Sequence, residues 1–255
     1  MTMETFNAVS SEHWWNLMSA IIGGILGALA GGVPAFTIAK RQSEESIKRE
    51  REQRQEREKA LAFAALVTLI TITNSTVSLY RHVLGHLRLL NEPRYKLSQP
   101  WQVLRPMVGF SDEGEQRLSA EQLAVFVAAG RHDYAMDAML LAQRHAATLS
   151  SFQEYCELRE RLTPQLPAPE SYAGDVGASY LTPDQVMQLM PIIIPLNNLA
   201  AQLGAHLEAD LTLGRKVSEG FGPITRAYFK DDKFPMLGFP TDEEVQAGFA
   251  EAASD

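Results

Sequence analysis

His82 and His86 are the residues whose type and spacing come nearest to a recognisable chemistry. Four residues apart on a helix, their imidazoles share one face, as a chelating pair must. A zinc site needs a third and usually a fourth protein ligand, and the sequence supplies none at a matching spacing. Val83, Leu87 and Leu90 mark the apolar side next to them, so the economical reading is a pair of boundary histidines. Cys156 would be a nucleophile only if a histidine lay beside it in the fold. It falls on an apolar stripe with Phe152, which predicts a buried, inert thiol. His145 and His206 read as core histidines on apolar faces. Glu154, Glu157 and Glu160 read as a solvated acidic row beside Arg159 and Arg161. No Walker A run, HExxH, CxxC or GxSxG occurs, and no glycine-rich turn follows a strand pattern. These residues therefore predict no catalytic residue, no cofactor and no metal.

The elements that would position such residues begin with a different kind of signal. Leu17 to Ala39 is a 23-residue run without charge, closed by Lys40 and Arg41. About 20 apolar residues in a helix cross the ~30 Å hydrocarbon core of a bilayer. A cleaved signal peptide would need a basic leading segment. Residues 1–16 instead carry Glu4 and Glu12 and no Lys or Arg, and the apolar run continues past Ala28-Leu29-Ala30. The sequence thus predicts a retained single span with the lipid bilayer as its first partner.

Orientation follows from the flanks. Lys40, Arg41, Lys48, Arg49, Arg51, Arg54, Arg57 and Lys59 all follow the run, and none precedes it. Lys and Arg mark the cytoplasmic side. This places the chain in a cell inner membrane with the N-terminus outside and the bulk cytoplasmic. Trp14 and Trp15 take the place of an outer aromatic anchor, and Lys40 and Arg41 that of an inner basic one.

Within the span, Ser19, Gly23, Gly27, Gly31 and Ala35 recur every four residues, and Ala20, Gly24, Ala28 and Gly32 form a second row. Small residues on one face let two helix backbones approach closely, the pattern of a glycine zipper. The expectation is a homo-oligomer formed through the membrane helix; a monomeric anchor and a different membrane partner are the alternatives. Pro34 should kink the inner end.

The formal net charge is −8. It is unevenly spread: the acidic excess lies beyond residue 100, while the segment after the span is basic, where the anionic leaflet attracts it. An acidic distal domain predicts no nucleic-acid partner, which would need a clustered basic face. Cys156 is the single cysteine, so no intrachain disulfide forms.

The rest of the chain reads as all-α. Residues 40–59 are good helix formers with Glu44–Lys48, Glu45–Arg49 and Glu50–Arg54 at i,i+4, predicting a solvated juxtamembrane helix about 30 Å long. Residues 60–80 are again uncharged. Their Thr, Ser and Asn74 content favours a core helix of a bundle domain spanning 60–217 over a second span. Residues 91–118 read as a loop. Ser119 and Gln122 form a capping box that opens a helix ending near Gly130, and a second helix runs from about Asp133 to Leu162. Residues 163–181 read as a loop without strands. Thr182-Pro183-Asp184-Gln185 starts a helix that Pro191 and Pro195 should kink or split. From Ser218 to Pro240 an irregular aromatic segment is expected, folding over the bundle or docking a partner, before a short helix capped by Thr241.

Three function classes remain open on these grounds. The favoured one is a non-catalytic scaffold or regulatory protein with a protein partner at its cytoplasmic domain. A small pore or transport component would need 60–80 in the bilayer. A membrane-face enzyme would need His82, His86 or His206 to converge in a site.

Overall fold

A computed structural model describes residues 4–96, 98–107, 117–173, 176–178 and 180–246, with side chains described from residue 14 onward except at 25–26, 28–35 and 171–179. It divides into two compact units, Met1–Arg57 and Glu58–Asp255, with the boundary inside the first helix.

That helix, α1, runs Glu4–Arg88. In the first unit its large apolar side chains are exposed: Leu17, Ile21, Ile22, Phe36 and Ile38 are between 48% and 70% exposed. Its charged stretch carries the i,i+4 pairs Lys40–Glu44, Glu45–Arg49 and Lys48–Glu52 at 3.5–4.0 Å. Glu44 thus turns back to Lys40 rather than forward to Lys48. All are solvated, where such a pair is worth only about 0.3–0.5 kcal/mol.

The second unit is a helical bundle built from the remainder of α1, α3 (Ala120–Ala128), α4 (His132–Leu162) and α5 (Pro183–Phe229), with a four-residue α2 (Pro100–Val103). On α1, Ala62, Ala65, Leu66, Leu69, Ile72, Thr76, Val77, Leu79 and Val83 are buried. This 3–4 spacing is the stripe of a core helix. Three of the Thr hydroxyls that weaken the stretch as a membrane segment are satisfied locally: Thr68, Thr71 and Thr76 each donate to the carbonyl four residues back.

Capping chemistry places the starts as read from sequence. Ser119 and Gln122 exchange hydrogen bonds at the head of α3, and Thr182 and Gln185 do so at the head of α5, where Pro183 occupies the first turn. α3 ends at Gly130, whose φ of +72° is a left-handed backbone that glycine adopts without penalty. Arg131 N–H then reaches Phe126 O and Gly130 N–H reaches Val127 O, closing the helix as a Schellman motif.

Three expectations are corrected. α5 is one continuous 47-residue helix that contains Pro191, Pro195 and Pro223, so the expected split does not occur. Pro191 and Pro195 leave the carbonyls of Met187 and Pro191 without an N–H partner, and both residues are exposed, so water can serve those carbonyls. The helix also continues past Ser218 to Phe229, because its later glycines serve close approach rather than breakage: a Cβ at Gly220 would fall 3.0 Å from the Tyr134 ring. Finally, Ser171–Ala173 (β1) pairs antiparallel with Val176–Ala178 (β2). Strands of three residues are too short to show alternation in the sequence.

α5 stops at Lys230, a non-glycine residue with φ of +52°. The chain beyond folds back over the bundle. Phe234, Leu237 and Val245 are buried, Met236 covers Gly222, Asp242 pairs with Arg215, and Arg81 donates to Glu244 O at 2.7 Å. Residues 242–246 are helical behind the Thr241 cap, and the residues after 246 lie outside the described residues.

Candidate functional site

Two apolar clusters fill the bundle. One gathers Leu66, Leu69 and Ile72 of α1, Phe126 of α3, Tyr134 and Leu141 of α4, and Phe221 of α5. The other gathers Leu79 and Val83 of α1, Trp101 and Leu104, Phe152 and Tyr155 of α4, and Leu196 and Leu203 of α5. Side-chain contacts set the helix directions. Thr76 meets His145 and His82 meets Phe152, so α1 and α4 run the same way. Tyr134 meets Val217 and Thr148 meets Asp210, so α5 runs against them.

Between the two clusters lies a buried polar layer contributed by all three helices. Thr76 gives its hydroxyl hydrogen to Ile72 O at 2.8 Å, so its oxygen accepts from His145 Nδ1 at 3.0 Å. The Asp210 carboxylate, 1% exposed, lies 2.6 Å from Arg144 Nε and takes the Thr148 hydroxyl at 2.8 Å. Thr73 Oγ1 and His145 Nε2 are buried in the same layer without a hydrogen-bond partner. Sequence reasoning placed His145 in the core but missed Asp210 and the network. A signal existed: Asp210 follows Leu203 and Leu207 on the stripe that also carries Gly214, so a charge was written into a core position.

His82 and His86 come together, with ring centroids 4.5 Å apart. Each anchors one nitrogen on a backbone carbonyl: His82 Nε2 on Arg105 O at 2.7 Å, His86 Nδ1 on His82 O at 2.8 Å. Burial pushes both imidazoles below the ordinary range, and His145 likewise. Desolvation disfavours the charged ring in each case. His206 does not join them. It is exposed on α5, where its carbonyl faces Arg144, which corrects the expectation of a core histidine. Cys156 is half-buried against the second cluster, and burial pushes its thiol up, away from nucleophilic character. Among the described residues, no three His, Cys, Asp or Glu side chains are placed to share a metal ion.

The residues assigned to membrane-helix association lie along α1. Ser19, Gly23 and Gly27 are exposed, and a Cβ at Gly23 or Gly27 would meet nothing within 4 Å. Gly31 and Ala35 fall outside the residues whose side chains are described. Trp14 and Trp15 are exposed, as are Lys40 and Arg41. Two helical stretches, Phe36–Asn91 and Pro183–Phe229, are long and apolar enough to cross a membrane; the most apolar part of each is 44% and 28% buried. No protein-family model, curated protein or solved structure matches the chain.

Proposed function

We propose that this chain is a membrane-anchored helical protein with a non-catalytic scaffold or regulatory role. Its anchor is a single span over Leu17–Ala39, with the N-terminus outside and the bundle in the cytoplasm. The observation that carries the reading is a contrast between two apolar stretches of α1. Leu17, Ile21, Ile22, Phe36 and Ile38 are exposed, and the face between them carries small residues rather than charged ones. Leu66, Leu69, Ile72 and Leu79 are buried against other helices. A helix that is apolar all round needs an apolar surround, and lipid supplies one. The basic residues that follow the span, against none before it, set the orientation. The groove of Ser19, Gly23 and Gly27, continued in sequence by Gly31 and Ala35, supports self-association in the membrane. The acidic bundle beyond it is the surface offered to a cytoplasmic protein partner.

A reporter fused after Asp255 tests the topology. Activity of a cytoplasmic reporter and silence of a periplasmic one is the expected result; the converse refutes the reading. A second reading, a small pore or transport component with 60–80 in the bilayer, draws on the exposure of Phe63, Val67 and Ile70 on the outer face of that stretch. It requires the periplasmic result.

A further inference from the structure

Two imidazoles, His145 and His82, stand at contacts between α1 and α4, and a third, His86, packs against His82. His145 of α4 faces Thr76 of α1; further along, His82 of α1 meets the Phe152 ring edge-on at 5.9 Å, and His86 follows one turn later. Each is held as a neutral ring. Arg105 O and His82 O can only accept, so His82 Nε2 and His86 Nδ1 carry the proton. Thr76 has committed its own hydrogen to Ile72 O, so His145 Nδ1 carries the proton as well. At His145 the second nitrogen, Nε2, is buried with no hydrogen-bond partner.

Charging these rings would place positive charge in half-buried and buried positions, where desolvation disfavours it. Against His145, α1 presents Thr76, which is uncharged. α5 presents Asp210, whose carboxylate is already held by Arg144 and Thr148 of α4. Around the other pair, Arg105 adds a positive charge beside His86, and α4 offers Phe152. With 4.5 Å between centroids, two charged rings at His82 and His86 would also repel each other.

We propose that the α1–α4 seam is an acid-sensitive joint, closed while His82, His86 and His145 are neutral and opened when they are protonated. Opening would separate the buried stripes of α1 and α4 and expose the polar layer between the two cores. Burial holds all three rings below their ordinary range, partly opposed by the hydrogen bonds of His82 to Arg105 O and of His86 to His82 O, and at His145 by Asp210. The open or unfolded chain therefore takes up these protons first. Stability of the seam is complete above about pH 6.5 and falls as the pH drops from there toward the lowered values of the closed form. Each unit by which a ring is held low raises the open-to-closed ratio about tenfold across that window.

The test uses the full chain in nanodiscs, with spin labels at Ser78→Cys and Glu154→Cys in a Cys156→Ser background, read at about pH 7.5 and about pH 5. The distance between labels should lengthen and broaden reversibly at the lower pH, and the His82→Gln/His86→Gln/His145→Gln variant should lose the response. Unchanged distances in the parent chain, or an undiminished response in the triple variant, would overturn the proposal. Should the triple variant fail to fold at neutral pH, histidine NMR titration of the parent decides. Three rings titrating below the ordinary value, in step with the lengthening, support the joint; rings titrating at ordinary values contradict it.

Discussion

Arg144 Nε stands 2.6 Å from Asp210 Oδ1, so a guanidinium that still reaches water neutralises a carboxylate that does not. The contact is an ion pair rather than an aligned hydrogen bond; Thr148 supplies the latter, to Oδ2. Taking a charge out of water is tolerable only when its partner comes with it.

Arg144→Ala should consequently cost about 3 kcal/mol, because it leaves Asp210 charged and unpaired between two apolar clusters. Adding Asp210→Leu to that variant should recover part of the loss, since the stranded charge is then gone. Urea unfolding of the two variants and the parent reads this directly; a double variant less stable than Arg144→Ala would show that the carboxylate is not the source of the cost.

Gly222→Ala should destabilise the bundle by about 1–3 kcal/mol, since its Cβ would fall 2.7 Å from Met236 Cγ and 3.3 Å from Met236 Cβ. Met236→Ala should relieve much of that cost. Gly23→Ala, where nothing lies within 4 Å, should leave unfolding of the bundle unchanged. Thermal melts of the three variants compare these outcomes.

Thr182→Ala removes the hydroxyl that accepts from Gln185 N–H at 3.3 Å. A lost N-cap of this type costs about 1 kcal/mol. The effect should be local: amide exchange should quicken in the first turns of α5 and stay slow near Leu203 and Leu207.

These positions also mark what was legible in the sequence. Ser119, Thr182 and Thr241 announced their helix starts because capping is a local matter of side-chain oxygens and nearby N–H groups. The stripe Tyr134, Ala138, Leu141, His145 and Phe152 was legible because burial repeats with the helix period. Pro191 and Ser218 misled, because whether a proline or a small polar residue ends a helix depends on what surrounds it. The exposed carbonyls near Pro191 and the bond from Ser218 Oγ to Gly214 O are tertiary circumstances. The polar layer was hidden for the same reason. Thr76, His145 and Asp210 are far apart in sequence, and no local spacing predicts that they meet.

Self-association through the membrane helix makes its own prediction. Gly27→Leu should sharply reduce the dimer signal of the isolated Leu17–Ala39 span in a bacterial membrane reporter, and Gly23→Leu and Gly31→Leu should act alike, because a bulky side chain blocks the backbone approach that such packing needs. Leu29→Ile, on another face, should be nearly silent. Equal signal for Gly27→Leu and the parent would leave the span as a monomeric anchor.

The central claim is one span with the bundle inside the cell, and thiol labelling in intact cells tests it most directly. In a Cys156→Ser background, Ser10→Cys lies before the span and Ser150→Cys on the exposed face of α4. A membrane-impermeant maleimide should label Ser10→Cys in intact cells and Ser150→Cys only after lysis. Labelling of Ser150→Cys in intact cells would contradict the account.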